Sequence, residues 1–217
     1  MTAREPIVEG IILAAGESRR MGYPKPLLRL GDRTFVEAIV TAMLEVLPRV
    51  IVVIGAHADR VRPAIPSDSR ISVVFNPNFE RGQLSSIQAG LGALRDPDVA
   101  GALIHLSDHP MVLPATFRAL LDEQARSSRP IVVARYHGRR GHPVFFARAL
   151  FKELLDAPED RGARVVVDAD PERVAYASVD DPGVVLDLDT PEDLERAGLA
   201  RPPEPLAAGD AARHNDR

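Results

Sequence analysis

Between residues 13 and 25 the chain reads Leu13-Ala14-Ala15-Gly16-Glu17-Ser18-Arg19-Arg20-Met21-Gly22, then Lys25 after Tyr23-Pro24. Gly16 and Gly22 let the backbone approach a ligand and turn its N–H groups inward, while Ser18, Arg19, Arg20 and Lys25 add donors and positive charge. Amides combined with Lys and Arg match the oxygens of a nucleoside triphosphate. A P-loop would place Lys-Ser/Thr directly after Gly22, and a dinucleotide fingerprint would need three glycines at fixed spacing; neither is present. An ordinary strand-to-helix turn with a solvated basic edge would explain a lone Gly-Glu-Ser. It does not explain two glycines, two arginines and a lysine together.

Chemistry on a triphosphate calls for a divalent ion, and such ions take carboxylate oxygen. Asp108, in Ser107-Asp108-His109-Pro110, and Asp189, ahead of Thr190-Pro191-Glu192-Asp193, are the candidates. Each also reads as a cap: Asp-x-Pro suits a turn, and Asp-Thr-Pro-Glu-Asp suits a helix start. His105, His109 and His142 raise the question of zinc, but their spacing fits no structural zinc pattern and the chain has no cysteine.

These residues must be held by a scaffold that alternates strands and helices. Val8, Ile11, Ile12 and Leu13 read as a strand buried on both faces, as do Val50–Gly55, Ile71–Phe75 and Gly101–Leu106. Helical patterns lie at Phe35–Leu47, near Ala58–Ala64 and at Ser85–Leu94. Further on, Pro130–Arg135 reads as a strand, Gly141–Phe146 as a turn entering another, Arg148–Leu155 as a helix and Val184–Asp189 as a last strand before a helix capped by Thr190. The alternation predicts an α/β fold with a mostly parallel sheet covered on both sides, and ligands at the carboxyl ends of its strands. Residues 1 to 200 are expected to form one domain, with an acceptor-binding portion at about 130–185. The Pro-, Ala- and charge-rich stretch 201–217 reads as a disordered tail.

Composition narrows the class. The 217 residues are 45% hydrophobic, enough for a sizeable core. A net charge of −4 argues against general binding to nucleic acid or to an anionic membrane, so the basic loop is a local feature. Without cysteine there are no disulfides and no thiol nucleophile. No apolar run approaches about 18 residues and no signal peptide is evident, so the cytoplasm is the expected location.

Leu13 to Lys25 resembles the signature of the nucleotidyltransferases of molybdenum cofactor synthesis, Leu-Ala-Ala/Gly-Gly-x-Ser-x-Arg-Met-Gly-x-x-Lys, with every fixed position filled. Asn76 to Ser86 is similar to the family's Asn…Gly-x-x-Ser-Ser segment, and Ser85 there also suits a helix cap. Gly141-His142-Pro143 is similar to a Gly-His-Pro of the cytidylyltransferase branch. Asp160-Arg161-Gly162-Ala163-Arg164 looks like that branch's Gly-Asp-x-Gly-Ala-Arg with Glu159 for its first glycine, and His109 stands where the branch often has Gln.

The resemblance implies a Rossmann-like three-layer αβα sandwich of the nucleotidyltransferase and glycosyltransferase-A kind. It implies a nucleotide site of Leu13, Ala14, Ala15, Gly16, Ser18, Arg19, Lys25, Asn76, Leu84, Ser85 and Ser86. Lys25, Arg19 and Asp108 would carry the chemistry, Asp108 and Asp189 would hold Mg²⁺ or Mn²⁺, with Asp189 preferred to Asp187, and Gly141, His142 and Pro143 would lie near the acceptor. Ala15 is typical of members that resemble CTP users, whereas GTP users carry glycine there. The implied reaction moves CMP from CTP to the terminal phosphate of the molybdopterin cofactor, with pyrophosphate released and a molybdoenzyme or its chaperone as downstream partner. Two other readings stand beside it: the same chemistry on another phosphorylated acceptor such as a sugar phosphate, and a non-catalytic carrier of the cofactor.

Overall fold

The computed structural model describes residues 6–158 and 162–202. A seven-stranded sheet forms its centre, built from β1 (Ile7–Ala14), β2 (Val50–Ile54), β3 (Ile71–Phe75), β4 (Val99–Leu106), β5 (Ile131–Tyr136), β6 (Arg139–Ala147) and β7 (Val174–Ser178) in the order β3-β2-β1-β4-β6-β5-β7. Every pairing is parallel except the two made by β6, which runs antiparallel to β4 and to β5. Central strand β1 sets Ile11 against Ile51 on one side and Ile104 on the other.

Alternate strand residues feed two cores. Ile12, Val52, Leu103 and Val132 pack with Val36, Ile39 and Met43 of α1 (Phe35–Leu44) and with Phe117 and Leu120 of α4 (Pro114–Ser127). Ile11, Val53, Ile104 and Val133 pack on the other face with Leu84, Ile87 and Leu91 of α3 (Gln83–Gly92), Leu154 of α5 (Phe151–Asp156) and Val166 of α6 (Arg164–Asp168). The result is the expected three-layer α/β sandwich. Between α1 and α3, α2 spans only Ala58–Val61 before Pro63 tightens the chain into a 3-10 turn. No helix among the described residues is long and apolar enough to cross a membrane.

Two expectations are corrected. Val184–Asp189 is not a strand: Asp181 accepts hydrogen bonds from the Gly183 N–H at 3.0 Å, the Leu113 N–H at 2.9 Å and the Thr116 hydroxyl at 2.6 Å, which sets Pro182–Val185 as a 3-10 turn. Both edges of β4 are already occupied, by β1 and β6, so residues 186–189 find no ladder there. Gly141–Pro143 does not form the turn into β6 either. The reversal lies at His137-Gly138, both with positive φ (45° and 82°), and Gly141–Pro143 sit inside β6 without ladder partners. Finally, α4, α6 and β7 were not foreseen. The expected tail beyond 202 and the Glu159–Arg161 part of the loop comparison lie outside the described residues.

Gly141 marks the tightest crossing. A Cβ there would meet the Val184 carbonyl oxygen at 1.9 Å, so β6 and the 182–185 turn touch backbone to backbone. Gly141→Ala should therefore separate them at a cost of about 1–3 kcal/mol or more. In a chain of this size that lowers Tm by roughly 2–4 °C per kcal/mol, to be read by calorimetry against wild type. An unchanged Tm would show that the turn yields freely.

Candidate active site

The loop after β1 is braced by hydrogen bonds before any ligand is considered. Ser18 adopts a positive φ of 54°, its carbonyl accepts from the N–H groups of Met21 and Gly22 at 3.1 Å each, and its hydroxyl accepts from the Lys25 N–H at 3.0 Å. These bonds turn Lys25 back over the carboxyl end of the sheet. On that edge Ser107, just past β4, donates its N–H to Leu13 O at 3.2 Å, which sets Asp108 beside the loop.

Lys25 Nζ donates to Asp108 Oδ2 at 2.9 Å and also to Asp189 Oδ1, and Arg20 pairs with Asp189 Oδ2. Asp189 reaches this edge without a strand. The Leu188 N–H donates to Asp108 O at 3.0 Å, and Leu188 is buried with Met21, Leu28, Phe35 and Leu194 in a small separate core. Helix α7 (Pro191–Arg196) follows, with a capping box between Thr190 and Asp193. Burial pulls the Lys25 ammonium down, but Asp108 and Asp189 outweigh it and hold its pKa above the ordinary value. Burial likewise pushes the Asp108 carboxyl up, and Lys25 with His109 brings it below the usual carboxylate range. The Asp187 carboxyl is raised by burial and by the charges of Asp108 and Asp189, which outweigh Lys25 and His109.

Two cavities open on this edge. The first, of about 370 Å³, is lined by Leu13, Ala15, Gly16, Ser18, Arg19, Lys25, Ser86, Asp108 and Asp189 from the sequence-derived set. It also takes in Arg20, Phe79 and Gln83. Ala14, Asn76, Leu84 and Ser85 are buried behind it: Asn76 donates to the Ser85 and Ser86 hydroxyls at 2.9 and 3.0 Å, bracing the start of α3. Arg19 points into solvent and pairs with Glu17. The second cavity, of about 550 Å³, carries Gly141, His142, Arg139, Arg140, Arg164 and Asp187 over an apolar floor that includes Ile87, Val133 and Phe146. Pro143 is not among its lining residues. The cavities meet at Gln83 and Leu106. Arg139 and Arg140 escaped the sequence reading, which named Arg164 only within the Gly-Asp-x-Gly-Ala-Arg comparison; the β5–β6 hairpin and α6 bring the three together.

The residues present fit a divalent ion. Asp108 Oδ1 is buried with no hydrogen-bond partner, and Asp187 and Asp189 add oxygen donors nearby.

Comparison with known proteins agrees with this fold. Residues 10–174 match the model of the MobA-like NTP transferase domain. The chain belongs to the MobA-like NTP transferase family. This transferase is 25% identical to the molybdenum cofactor cytidylyltransferase of Escherichia coli, over 86% of this chain and 93% of that protein. It is 32% identical to the nicotine blue oxidoreductase of Paenarthrobacter nicotinovorans, over 88% and 96%. It also resembles the structure of Mycobacterium tuberculosis Rv0371c in complex with manganese, with a TM-score of 0.72 and 31% identity over 88% of this chain and 96% of that one.

Behind the site of this nucleotidyltransferase lies a histidine cluster. His105 is fully buried, edge-on to Phe117 at 5.3 Å, and the rings of His109 and His142 lie 5.4 Å apart, tilted by 51°. Burial, then the neighbouring imidazoles, push the pKa of His105 down to about 3 and that of His142 to about 4. Both folded values lie below the unfolded value of about 6.5. The unfolded chain therefore binds more protons below that pH, and stability should fall by about 1.4 kcal/mol per pH unit for each histidine until its folded pKa is reached. Urea midpoints at pH 7 and pH 5 should differ by less in His142→Asn than in wild type. Equal differences would remove His142 from the linkage.

Proposed function

We propose that this nucleotidyltransferase moves CMP from CTP to the terminal phosphate of a molybdopterin-type acceptor in the cytoplasm, with release of pyrophosphate. The observation that carries this reading is the junction of two unlike cavities: one lined by a basic loop and a lysine–carboxylate cluster, the other apolar-floored and rimmed by Arg139, Arg140 and Arg164. A triphosphate suits the first, and a flat heterocycle with a phosphate suits the second. The acceptor phosphate is largely dianionic at neutral pH and needs no base to attack. Its oxygen bonds to the α-phosphorus of CTP while the bond from that phosphorus to the bridging oxygen of pyrophosphate breaks, so both substrates need only be held in line. Lys25 and the loop amides meet the charge that gathers on the departing pyrophosphate. Asp108 and Asp189 are proposed to hold the divalent ion, which when bound neutralises triphosphate charge. The acceptor portion is assigned to about 130–185, and a molybdoenzyme or its chaperone is the expected recipient of the product.

A hydride-transfer reading, suggested by the name of the Paenarthrobacter relative, finds no three-glycine fingerprint in the loop after β1. Pyrophosphate release measured with each of the four NTPs, with and without purified molybdopterin cofactor, tests the reading directly: release should require the acceptor and be fastest with CTP. Lys25→Ala should slow it by on the order of 10²–10³ with the fold intact by circular dichroism; undiminished release would exclude Lys25 from the mechanism.

The base preference is assigned to Ala15, which is buried on the first cavity against Gly55. Ala15→Gly should raise kcat/KM for GTP relative to CTP. One methyl group gives about 1–3 kcal/mol of discrimination, so the expected change is roughly tenfold or more, and an unmoved ratio would place base choice elsewhere.

A further inference from the structure

Lys25 satisfies only one side of Asp108. Oδ2 accepts from the ammonium at 2.9 Å, while Oδ1, buried and without a hydrogen bond, faces His109 Nε2 at 3.9 Å. The imidazole is itself buried, 6% exposed, and its other nitrogen, Nδ1, lies 3.2 Å from the Gly183 carbonyl oxygen. A carbonyl only accepts, so Nδ1 carries a proton there, which leaves Nε2 as the ring nitrogen a metal ion could take. Nε2 and Oδ1 thus face each other across a gap too wide for a hydrogen bond. An ion bonded to each at about 2.0–2.2 Å would span it. One ligand atom from each of Asp108, His109 and Asp187 lies within 4.8 Å of the other two. The Nδ1 contact with a backbone carbonyl is also the support that fixes the tautomer and orientation of metal-bound histidines.

We propose that Asp108 Oδ1, His109 Nε2 and Asp187 form a divalent transition-metal site, separate from the gap between Asp108 and Asp189 that Lys25 fills, and that it takes up Mn²⁺ ahead of Mg²⁺ without nucleotide. The selectivity follows from the nitrogen: Mg²⁺ favours an all-oxygen shell, whereas imidazole suits first-row transition ions. Asp108 lines the first cavity and His109 and Asp187 line the second, so the ion stands where the two meet. The inference concerns the bare protein and depends on neither the acceptor nor the base.

The test is Mn²⁺ titration of the chelator-stripped full chain, followed by electron paramagnetic resonance, with Mg²⁺ as competitor and no nucleotide. One Mn²⁺ should bind per chain, a large excess of Mg²⁺ should be needed to displace it, and pulsed spectra should show a directly bound histidine nitrogen whose coupling changes when the protein carries ¹⁵N-histidine. His109→Gln should abolish that coupling and weaken Mn²⁺ by about tenfold or more, while Mg²⁺ affinity changes little. Asp187→Asn should weaken Mn²⁺ but keep the coupling. A wild-type protein without nitrogen coupling would overturn the proposal whether or not either variant folds, as would a folded His109→Gln that binds Mn²⁺ as tightly as wild type. No CTP or acceptor enters these measurements, so their failure is distinct from failure of the transferase reading.

Discussion

The ammonium of Lys25 joins three parts of the chain that lie far apart in sequence. Asp108 lies 83 residues away in sequence and Asp189 164 residues away, and both carboxylates converge on one nitrogen. None of the three side chains is more than 21% exposed. Two carboxylates this close and this dry repel each other unless a cation stands between them. Taking such charges out of water makes the net stabilisation small, yet deleting one partner strands the others at a cost on the order of 3–5 kcal/mol. The cluster is therefore better understood as a positioning device than as a source of stability. It requires that the glycine-rich loop, the end of β4 and the segment before α7 arrive in register.

That register is supplied by apolar contacts, not by the charges. Met21 of the glycine-rich loop is buried with Leu28 and Phe35 on one side and Leu188 and Leu194 on the other, so the loop that carries Arg19 and Arg20 is pinned through its one apolar residue. Leu188 lies directly before Asp189, and the capping box of Thr190 and Asp193 fixes the direction in which the chain leaves. Asp193 further accepts from the Asp189 N–H at 3.0 Å, which orients that backbone. Within two residues of each other, an apolar anchor and a helix cap determine where the carboxylate points.

This explains what was legible beforehand. The strands β1, β2 and β4 are runs of β-branched and apolar residues that only a sheet covered on both faces can bury, and the glycine-rich loop follows the first of them directly. Lys25 and Asp108 could therefore be placed at one sheet edge from sequence. Asp189 was placed there on the premise that Val184–Asp189 is a strand. It arrives instead through the small core around Leu188, because alternation in Val-Val-Leu-Asp-Leu-Asp has the period of a strand while Asp181-Pro182-Gly183 closes a turn just before it. Strand β7, Val-Ala-Tyr-Ala-Ser, was invisible for the opposite reason: its inward positions are alanines, which give no β signal. Missing β7 and α6 meant missing that Arg139 and Arg140 share a cavity with Arg164, since that surface exists only once β5, β6 and α6 are packed.

The division of charge between the cavities bears on what each can hold. In the first, the cations Arg20 and Lys25 are already engaged with Asp189 and Asp108. In the second, Arg140 lies 3.6 Å from Asp168 and 5.1 Å from the Tyr176 ring, so it too is partly neutralised. At this edge of a chain with a net charge of −4, positive charge thus gathers in two small groups, each with carboxylates beside it. Under the proposed transferase reading, an anionic ligand that drew Lys25 or Arg20 away from these carboxylates would leave them without a counter-charge, so a further cation has to enter with it. The preformed ion pairs meanwhile keep the cationic side chains in place, which reduces the reorganisation left to the moment of reaction.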